Sequence, residues 1–190
     1  VVADIGLIGT IKGTREKPVI GLRCEMDALP VTEDTGLPFA SVNEGVMHAC
    51  GHDGHMAMLL GAAKVLSEHK DQLNCTVKLI FQPAEESITG AKKMLESSEL
   101  DDVDNYMSIH NWPSIPVGKI SVKAGPRMAS CDMFYLTVKG EGGHGAFPDT
   151  SVDPIVTGSA VVGNMQSLVS RELNPGEPAI VSICTFNAGN

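Results

Sequence analysis

The sequence predicts an α/β fold, in which a mostly parallel sheet carries helices on both faces and is followed by part of a smaller α+β domain. Strand-like and helix-like segments alternate through about the first 110 residues, a pattern typical of parallel strands joined by crossover helices. The character changes near residue 126, where an alternating segment, a glycine-rich turn and a long amphipathic helix follow one another. The predicted domains are therefore 1–125 and 126–190.

The predicted strands of the first domain are short and rich in Val and Ile, as strands commonly are. Four segments have this character: 1–12, 18–26, 75–81 and 106–109, the last of which is predicted to be a short buried strand. Between them, 56–69 is apolar at helical spacing and 87–97 also reads as a helix. Asp53 precedes the first of these helices and is its expected N-cap, since an Asp side chain accepts hydrogen bonds from the first free backbone N–H groups.

The second domain is predicted to begin with a β-α-β unit. Residues 131–139 alternate between polar and apolar side chains, 152–172 form the amphipathic helix, and 178–187 form the second strand. The chain opens without Met and stops after a strand-like run. We therefore expect it to be an internal segment of a longer protein.

The composition of the chain bears on its partners and its cellular location. A formal net charge of −9, with no basic cluster interleaved with aromatic residues, argues against a nucleic-acid partner. Apolar runs stay well short of the ~18 residues of a membrane span, so no membrane association is expected. The five cysteines are odd in number and widely scattered, which favours a reducing compartment and predicts a cytoplasmic protein.

The strongest chemical signal is the segment 48–55, which holds three histidines, a cysteine and an aspartate. Cys50 and His52 can point to the same side of an extended segment, and Cys and His are natural donors for zinc and similar metals. Their expected partners follow other strands of the sheet: Asp27, Glu85, Glu86 and His110. Because parallel strands gather ligands at their carboxyl ends, these residues are predicted to converge at one edge.

The same residues also have interpretations that involve no metal. Cys50 is open to two other readings, a buried small apolar side chain or a thiolate nucleophile with a histidine base. Glu85 and Glu86 could form a solvated pair at the start of a loop. His48 and His55 are left open between a supporting role and a purely structural one.

Four motifs occur in order along the chain: 25–30 (EMDALP), 45–55 (GVMHACGHDGH), 79–86 (LIFQPAEE) and 142–146 (GGHGA). In this combination the chain resembles the amidohydrolase branch of the aminoacylase/carboxypeptidase G metallopeptidase family. That branch includes hippurate hydrolases, N-acetyl-diaminopimelate deacetylases and plant auxin-conjugate hydrolases. The resemblance implies a catalytic domain, a lid domain that also forms a homodimer, and hydrolysis of N-acyl amino acids.

The resemblance also implies a role for each matched residue. A pair of divalent metal ions (zinc, manganese, cobalt or nickel) is held by Cys50, His52, Glu86 and His110. Glu85 acts as the general base, and Asp27 supports the metal site without binding it directly. His144 reaches the scissile carbonyl from the partner subunit of a dimer.

Two departures from the family pattern stand out. The usual Asp two residues before Asp27 is Glu25 here, which keeps the negative charge. The family's final histidine ligand has no equivalent after His144 in this chain, so the isolated segment is expected to be inactive. The alternatives are therefore a dipeptidase of the same fold, or a catalytically incomplete metal-binding segment.

Overall fold

In the computed structural model, which describes residues 1–189, the chain forms two compact units, Val1–Val122 and a second that begins at Lys123. The first unit contains a four-stranded sheet. Its strands are β1 (Leu7–Lys12), β2 (Val19–Glu25), β3 (Thr76–Gln82) and β4 (Asn105–Ser108). The order is β1-β3-β2-β4; β2 runs parallel to both β3 and β4, and β1 pairs antiparallel with β3. The predicted mostly parallel sheet is confirmed.

Helices pack on both faces of this sheet because the side chains of β3 alternate between them. Val77 and Leu79 face helix α1 (His52–Glu68) and contact its Leu59. Ile80 points to the opposite face and packs with Met94 of helix α2 (Gly90–Leu95). The central strand thus supplies both layers of the core and fixes where its carboxyl end lies.

The start of α1 differs from the sequence prediction. The N-cap is Gly51, with a left-handed φ of 81°, and Asp53 lies inside the first turn. Asp53 Oδ1 accepts a hydrogen bond from the backbone N–H of Gly54 at 2.8 Å. The prediction of Asp53 as the N-cap is therefore wrong. The glycine turns the chain sharply enough for the helix to begin at His52, so a ligand candidate occupies its first position.

Helix α2 and the last strand of the sheet, β4, also differ from the sequence prediction. The predicted helix 87–97 begins later, as α2, because Ile88 has a positive φ of 60°, which a right-handed helix cannot contain. The segment predicted as a short buried strand forms β4, but all four of its residues are exposed. It is an edge strand, and among the described residues β2 is the strand with which it pairs.

The second unit contains helix α3 (Pro154–Ser167), which continues as a π-helical turn, Leu168–Glu172. Asp153 caps it, accepting hydrogen bonds from Ile155 N at 2.8 Å and Val156 N at 3.1 Å. The predicted strands 131–139 and 178–187 do not form among the described residues. Alternation of polar and apolar residues favours an extended segment, but a strand forms only where a neighbouring segment pairs with it through backbone hydrogen bonds. The predicted α+β character of this unit is not confirmed.

Within the part of the chain that the structure describes, no helix combines the length and apolarity needed to cross a bilayer. All five cysteines are free.

The core face of α2 supports a stability prediction. Met94 is 1% exposed and packs against Ile80 and Leu100, whereas the neighbouring Leu95 is 62% exposed. Met94→Ala should lower the free energy of unfolding by about 2–5 kcal/mol, because it leaves a cavity. Leu95→Ala is the matched control, with an expected change within about 0.5 kcal/mol. Urea titration followed by circular dichroism measures both, and equal losses would contradict the assignment of this face.

Candidate metal centre

The carboxyl ends of β2 and β3 lie side by side, since Glu25 pairs with Gln82 in their parallel register. The chain leaving β2 carries Asp27, and the chain leaving β3 carries Glu85 and Glu86. The turn at the start of α1 brings Cys50 and His52 to this same edge, and His110 follows β4. The structure thus brings together these six candidates from the sequence.

Three overlapping groups of donors could hold a metal ion. They are Cys50, His52 and His110; His52, Glu85 and Glu86; and Glu25, His52 and His55. Within each group the ligand atoms lie within 4.8 Å of one another. Two ligands of one zinc ion lie at most about 4.6 Å apart, given metal–ligand distances of about 2.0–2.3 Å. The spacing is therefore close to that of a loaded site, and His52 belongs to every group.

His52 is oriented as a metal-binding histidine would be. Its ring is 1% exposed, and Nδ1 lies 2.9 Å from the backbone carbonyl oxygen of Asp27. A carbonyl only accepts, so Nδ1 carries the hydrogen and Nε2 has the free lone pair. That Nε2 lies 3.9 Å from Glu86 Oε1 and 4.0 Å from Glu85 Oε2. Histidines that bind metals characteristically donate their other N–H in this way.

Cys50 and His110 form the other side of the cluster. Nε2 of His110 lies 3.5 Å from Sγ of Cys50, and its Nδ1 donates to the Asn111 carbonyl oxygen at 2.6 Å. Burial, and then the charges of Glu86 and Glu85, raise the pKa of the Cys50 thiol to about 11. A thiol and two carboxylates repel one another when ionised, and a divalent cation among them reverses that repulsion.

Buried polar atoms that have no hydrogen-bond partner test whether a metal ion fits this cluster. Among the described residues these are Asp27 Oδ1, His48 Nδ1 and Glu86 Oε1. A buried acceptor without a partner costs free energy, and Glu86 Oε1 is the oxygen that faces His52. Sulfur, imidazole and carboxylate donors together suit zinc and the neighbouring transition metals. The residues present therefore fit a divalent metal site.

The two adjacent glutamates occupy different environments. The backbone N–H of Glu86 donates to Asp27 Oδ2 at 3.0 Å, and its side chain is 27% exposed. The Glu85 side chain is 41% exposed. Ala84 sits just before them in the left-handed region. Glu86 is therefore held from behind the cluster, while Glu85 lies nearer to solvent.

Behind the cluster lies a layer of residues in which the sequence left the role of His55 open and gave no prediction of its contacts with Glu25 and Asn111. Glu25 is 4% exposed, and its Oε2 lies 2.8 Å from Nδ1 of His55. Burial alone would raise the pKa of Glu25, but the hydrogen bond from His55 and the charge of Arg23 bring that pKa below its usual value. Nε2 of His55 contacts Asn111, so both ring nitrogens are occupied. His55 therefore supports the cluster.

Two signals in the sequence could have revealed this layer. His55 follows His52 by three residues, which places both on the same side of α1. The ion pair between Glu25 and Arg23 within an otherwise apolar strand is a second indication of a buried polar contact. Asn111 carries no such signal.

His144 belongs to the second unit, in the turn before the 3₁₀ turn Pro148–Thr150. Its Nδ1 accepts a hydrogen bond from the backbone N–H of Ala146 at 3.1 Å. The ring proton of the neutral side chain therefore resides on Nε2. The side chain is exposed and able to donate a hydrogen bond.

Gly51 is the position where the cluster is most sensitive to added volume. Its φ is 81°, and a Cβ there would lie 2.2 Å from Nδ2 of Asn111. Gly51→Ala should lower the free energy of unfolding by about 1–3 kcal/mol through backbone strain and displacement of Asn111.

The matched control for Gly51→Ala is Gly61→Ala in the interior of α1, where no other atom lies within 4 Å of the added methyl group. Because alanine favours a helix more than glycine does, the control should gain up to about 1 kcal/mol. Thermal unfolding of the metal-free proteins compares the two. Equal melting temperatures would contradict the crowding of Asn111 against Gly51.

Comparison with known proteins gives a consistent result. Residues 21–185 match the family model described as peptidase family M20/M25/M40. N-acetylcysteine deacetylase of Bacillus subtilis is 47% identical over 184 residues, covering 97% of this chain and 48% of that protein. IAA-amino acid hydrolase ILR1-like 2 of Arabidopsis thaliana is 48% identical over 189 residues, covering 100% of this chain and 43% of that protein. The chain thus spans about half the length of these relatives.

Solved structures agree. A putative aminohydrolase from methicillin-resistant Staphylococcus aureus has a TM-score of 0.75 at 39% identity, covering 97% of this chain and 50% of that one. A Bacillus subtilis protein described as a dinuclear metal binding peptidase has a TM-score of 0.62 at 50% identity, covering 64% and 34%. The resemblance carried by the four sequence motifs is confirmed. This chain belongs to the peptidase family M20/M25/M40.

Proposed function

We propose that the protein containing this chain is a metal-dependent amidohydrolase that cleaves N-acyl amino acids to a carboxylic acid and a free amino acid. The observation that carries the proposal is the buried, unpartnered Oε1 of Glu86 facing the free Nε2 of His52, with Glu85 beside it. The names of relatives support the reaction class: N-acetylcysteine deacetylase, N-acyl-L-amino acid amidohydrolase and IAA-amino acid hydrolase.

Two divalent ions would be held by Cys50, His52, Glu86 and His110, with Asp27 orienting His52 and Glu86 from behind. When bound, such ions polarise a carbonyl and lower the pKa of water toward ~7. The mixed donor set suits zinc, manganese, cobalt or nickel. A thiolate ligand must stay reduced, and the five free cysteines support a cytoplasmic location.

Glu85 would move the proton. As the general base it accepts a proton from the attacking water while the new C–O bond forms at the amide carbon. It then delivers that proton to the departing nitrogen as the C–N bond breaks, which releases a neutral amine. Its greater exposure supports this role, because the carboxylate must reach both the water and the leaving group.

His144 would donate its Nε2 hydrogen to the scissile carbonyl oxygen from the partner subunit of a homodimer. In this proposal 1–125 form the catalytic domain and 126–190 form part of a lid that holds the substrate carboxylate and the dimer interface. Exposed apolar side chains in the second unit support a contact surface there. They include Met133, Phe134, Tyr135, Leu136 and Phe147.

A dipeptidase of the same fold is the second candidate, favoured by the 43% identity to thermostable carboxypeptidase 1 of Saccharolobus solfataricus. A panel of N-acetyl, N-benzoyl and N-indoleacetyl amino acids against unblocked dipeptides separates the two. We expect kcat/KM to be higher for the N-acyl amino acids. Preferential cleavage of dipeptides would support the second candidate, and metal binding without turnover of either class would contradict both.

A further inference from the structure

The layer behind the candidate metal centre begins at Glu25, the last residue of β2. Its carboxylate is buried, with Oε2 2.8 Å from Nδ1 of His55, and Oε1 accepts a hydrogen bond from Arg23. Because a carboxylate only accepts, Nδ1 of His55 carries the hydrogen. Glu25 thus sets the orientation of a ring that is itself 2% exposed.

The opposite side of that ring contacts Asn111. Nε2 of His55 lies 2.7 Å from Asn111 Oδ1 and 3.0 Å from the backbone N of Asn111. When Nε2 is protonated it can donate to Oδ1, and when it is not it can accept from the backbone N–H. In both protonation states His55 links α1 to the loop after β4.

Asn111 in turn orients His110. Its backbone carbonyl accepts the Nδ1 hydrogen of His110 at 2.6 Å. The His110 ring also meets the ring of His55 edge-on, with centroids 4.5 Å apart and planes at 70°. These contacts direct Nε2 of His110 at Cys50 Sγ, 3.5 Å away.

The Asn111 side chain also contacts the turn that carries Cys50. Its amide packs so closely on Gly51 that a Cβ there would lie 2.2 Å from Nδ2. Asn111 belongs to the loop that carries His110 and contacts the turn that carries Cys50, so it joins the two segments that present this pair. We propose that Asn111, held by Glu25 and His55, is a positioning residue that sets the Cys50–His110 geometry and thereby the affinity of this pair for a divalent metal. This inference rests on the proposed metal centre.

Cobalt binding to the metal-free protein tests the proposal, because thiolate-to-Co²⁺ charge-transfer absorption reports on ligation by Cys50. Asn111→Ala keeps the backbone carbonyl that accepts from His110 but removes the side chain that contacts His55 and packs on Gly51. It should therefore weaken Co²⁺ binding about 10- to 100-fold, the usual effect of losing a residue that orients a ligand. The charge-transfer band should weaken as well. Asn105→Ala, the same change on the exposed strand β4, should leave both unchanged.

Two substitutions of His55 separate positioning from packing. His55→Gln places an amide near the former position of Nε2 and so keeps a contact with Asn111. His55→Asn places an amide near the former position of Nδ1, so it keeps the contact with Glu25 and loses the contact with Asn111. We expect the Gln variant to stay close to wild-type Co²⁺ affinity and the Asn variant to resemble Asn111→Ala. This pair decides the question if Asn111→Ala does not fold.

Unchanged Co²⁺ affinity and an unchanged charge-transfer band in both Asn111→Ala and His55→Asn would overturn the positioning role, whatever happens to thermal stability. Equal affinity losses in the two His55 variants would overturn it as well. Failure of the wild-type protein to bind Co²⁺ would instead contradict the proposed metal centre. The two failures are therefore distinguishable.

Discussion

Replacing Glu85 with Gln should lower kcat by about 10²–10⁴-fold, the usual contribution of a general acid–base group, while the metal content stays at the wild-type level. The amide keeps the size of the side chain but cannot accept the proton from water. Glu85 is the more exposed of the two glutamates, and Glu86 is tied to Asp27 through its backbone N–H. The change should therefore affect proton transfer rather than metal binding.

Glu86→Gln is the matched control, since it makes the same chemical change one residue away. Its Oε1 is buried and faces His52 Nε2 at 3.9 Å, so we expect loss of at least one metal ion per subunit. Steady-state kinetics with an N-acyl amino acid and metal analysis of both purified variants measure the two effects. Full metal content together with normal turnover in both variants would contradict both assignments.

Removing the metal ions should abolish turnover and lower thermal stability. A ligand that binds only the folded state stabilises it by about 4 kcal/mol when its free concentration is 1,000 times its Kd. For a folding unit of about 150–250 residues that corresponds to roughly 8–16 °C in melting temperature. Metal ions should stabilise the fold because of the charge at the site, where carboxylate oxygens of Asp27 and Glu86 without a hydrogen-bond partner surround the buried imidazole of His52.

The comparison uses protein dialysed against a chelator, then restored with Zn²⁺, Mn²⁺, Co²⁺ or Ni²⁺ in turn. Cys50→Ser provides the control, because it should respond to restored metal less than the wild-type protein does. A melting temperature that did not change on chelation, together with undiminished activity, would contradict a metal centre. The metal that restores the highest kcat/KM identifies the one best suited to these donors.

Local sequence signals located β2, β3, α1 and α3 to within a few residues, because their apolar spacing reflects how each segment packs. The signals for strands in the second unit were misleading, since 131–139 and 178–187 alternate but form no ladder among the described residues. The antiparallel direction of β1 and the exposure of β4 also depend on strand pairing. Pairing between distant segments is not encoded in local periodicity.

By itself the sequence determined the mostly parallel character of the sheet and the family, and it predicted the metal donors. Glu86 and His110 could be predicted because residues that follow neighbouring parallel strands meet at one edge of the sheet, whereas Cys50 and His52, at the start of α1, were predicted from the metal-binding chemistry of Cys and His. Only the tertiary structure decided which atoms face one another: Nε2 of His52 toward the glutamates, and Asn111 against Gly51. Hydrogen bonds of the ring nitrogens select those orientations, and their partners lie 25 to 56 residues away along the chain.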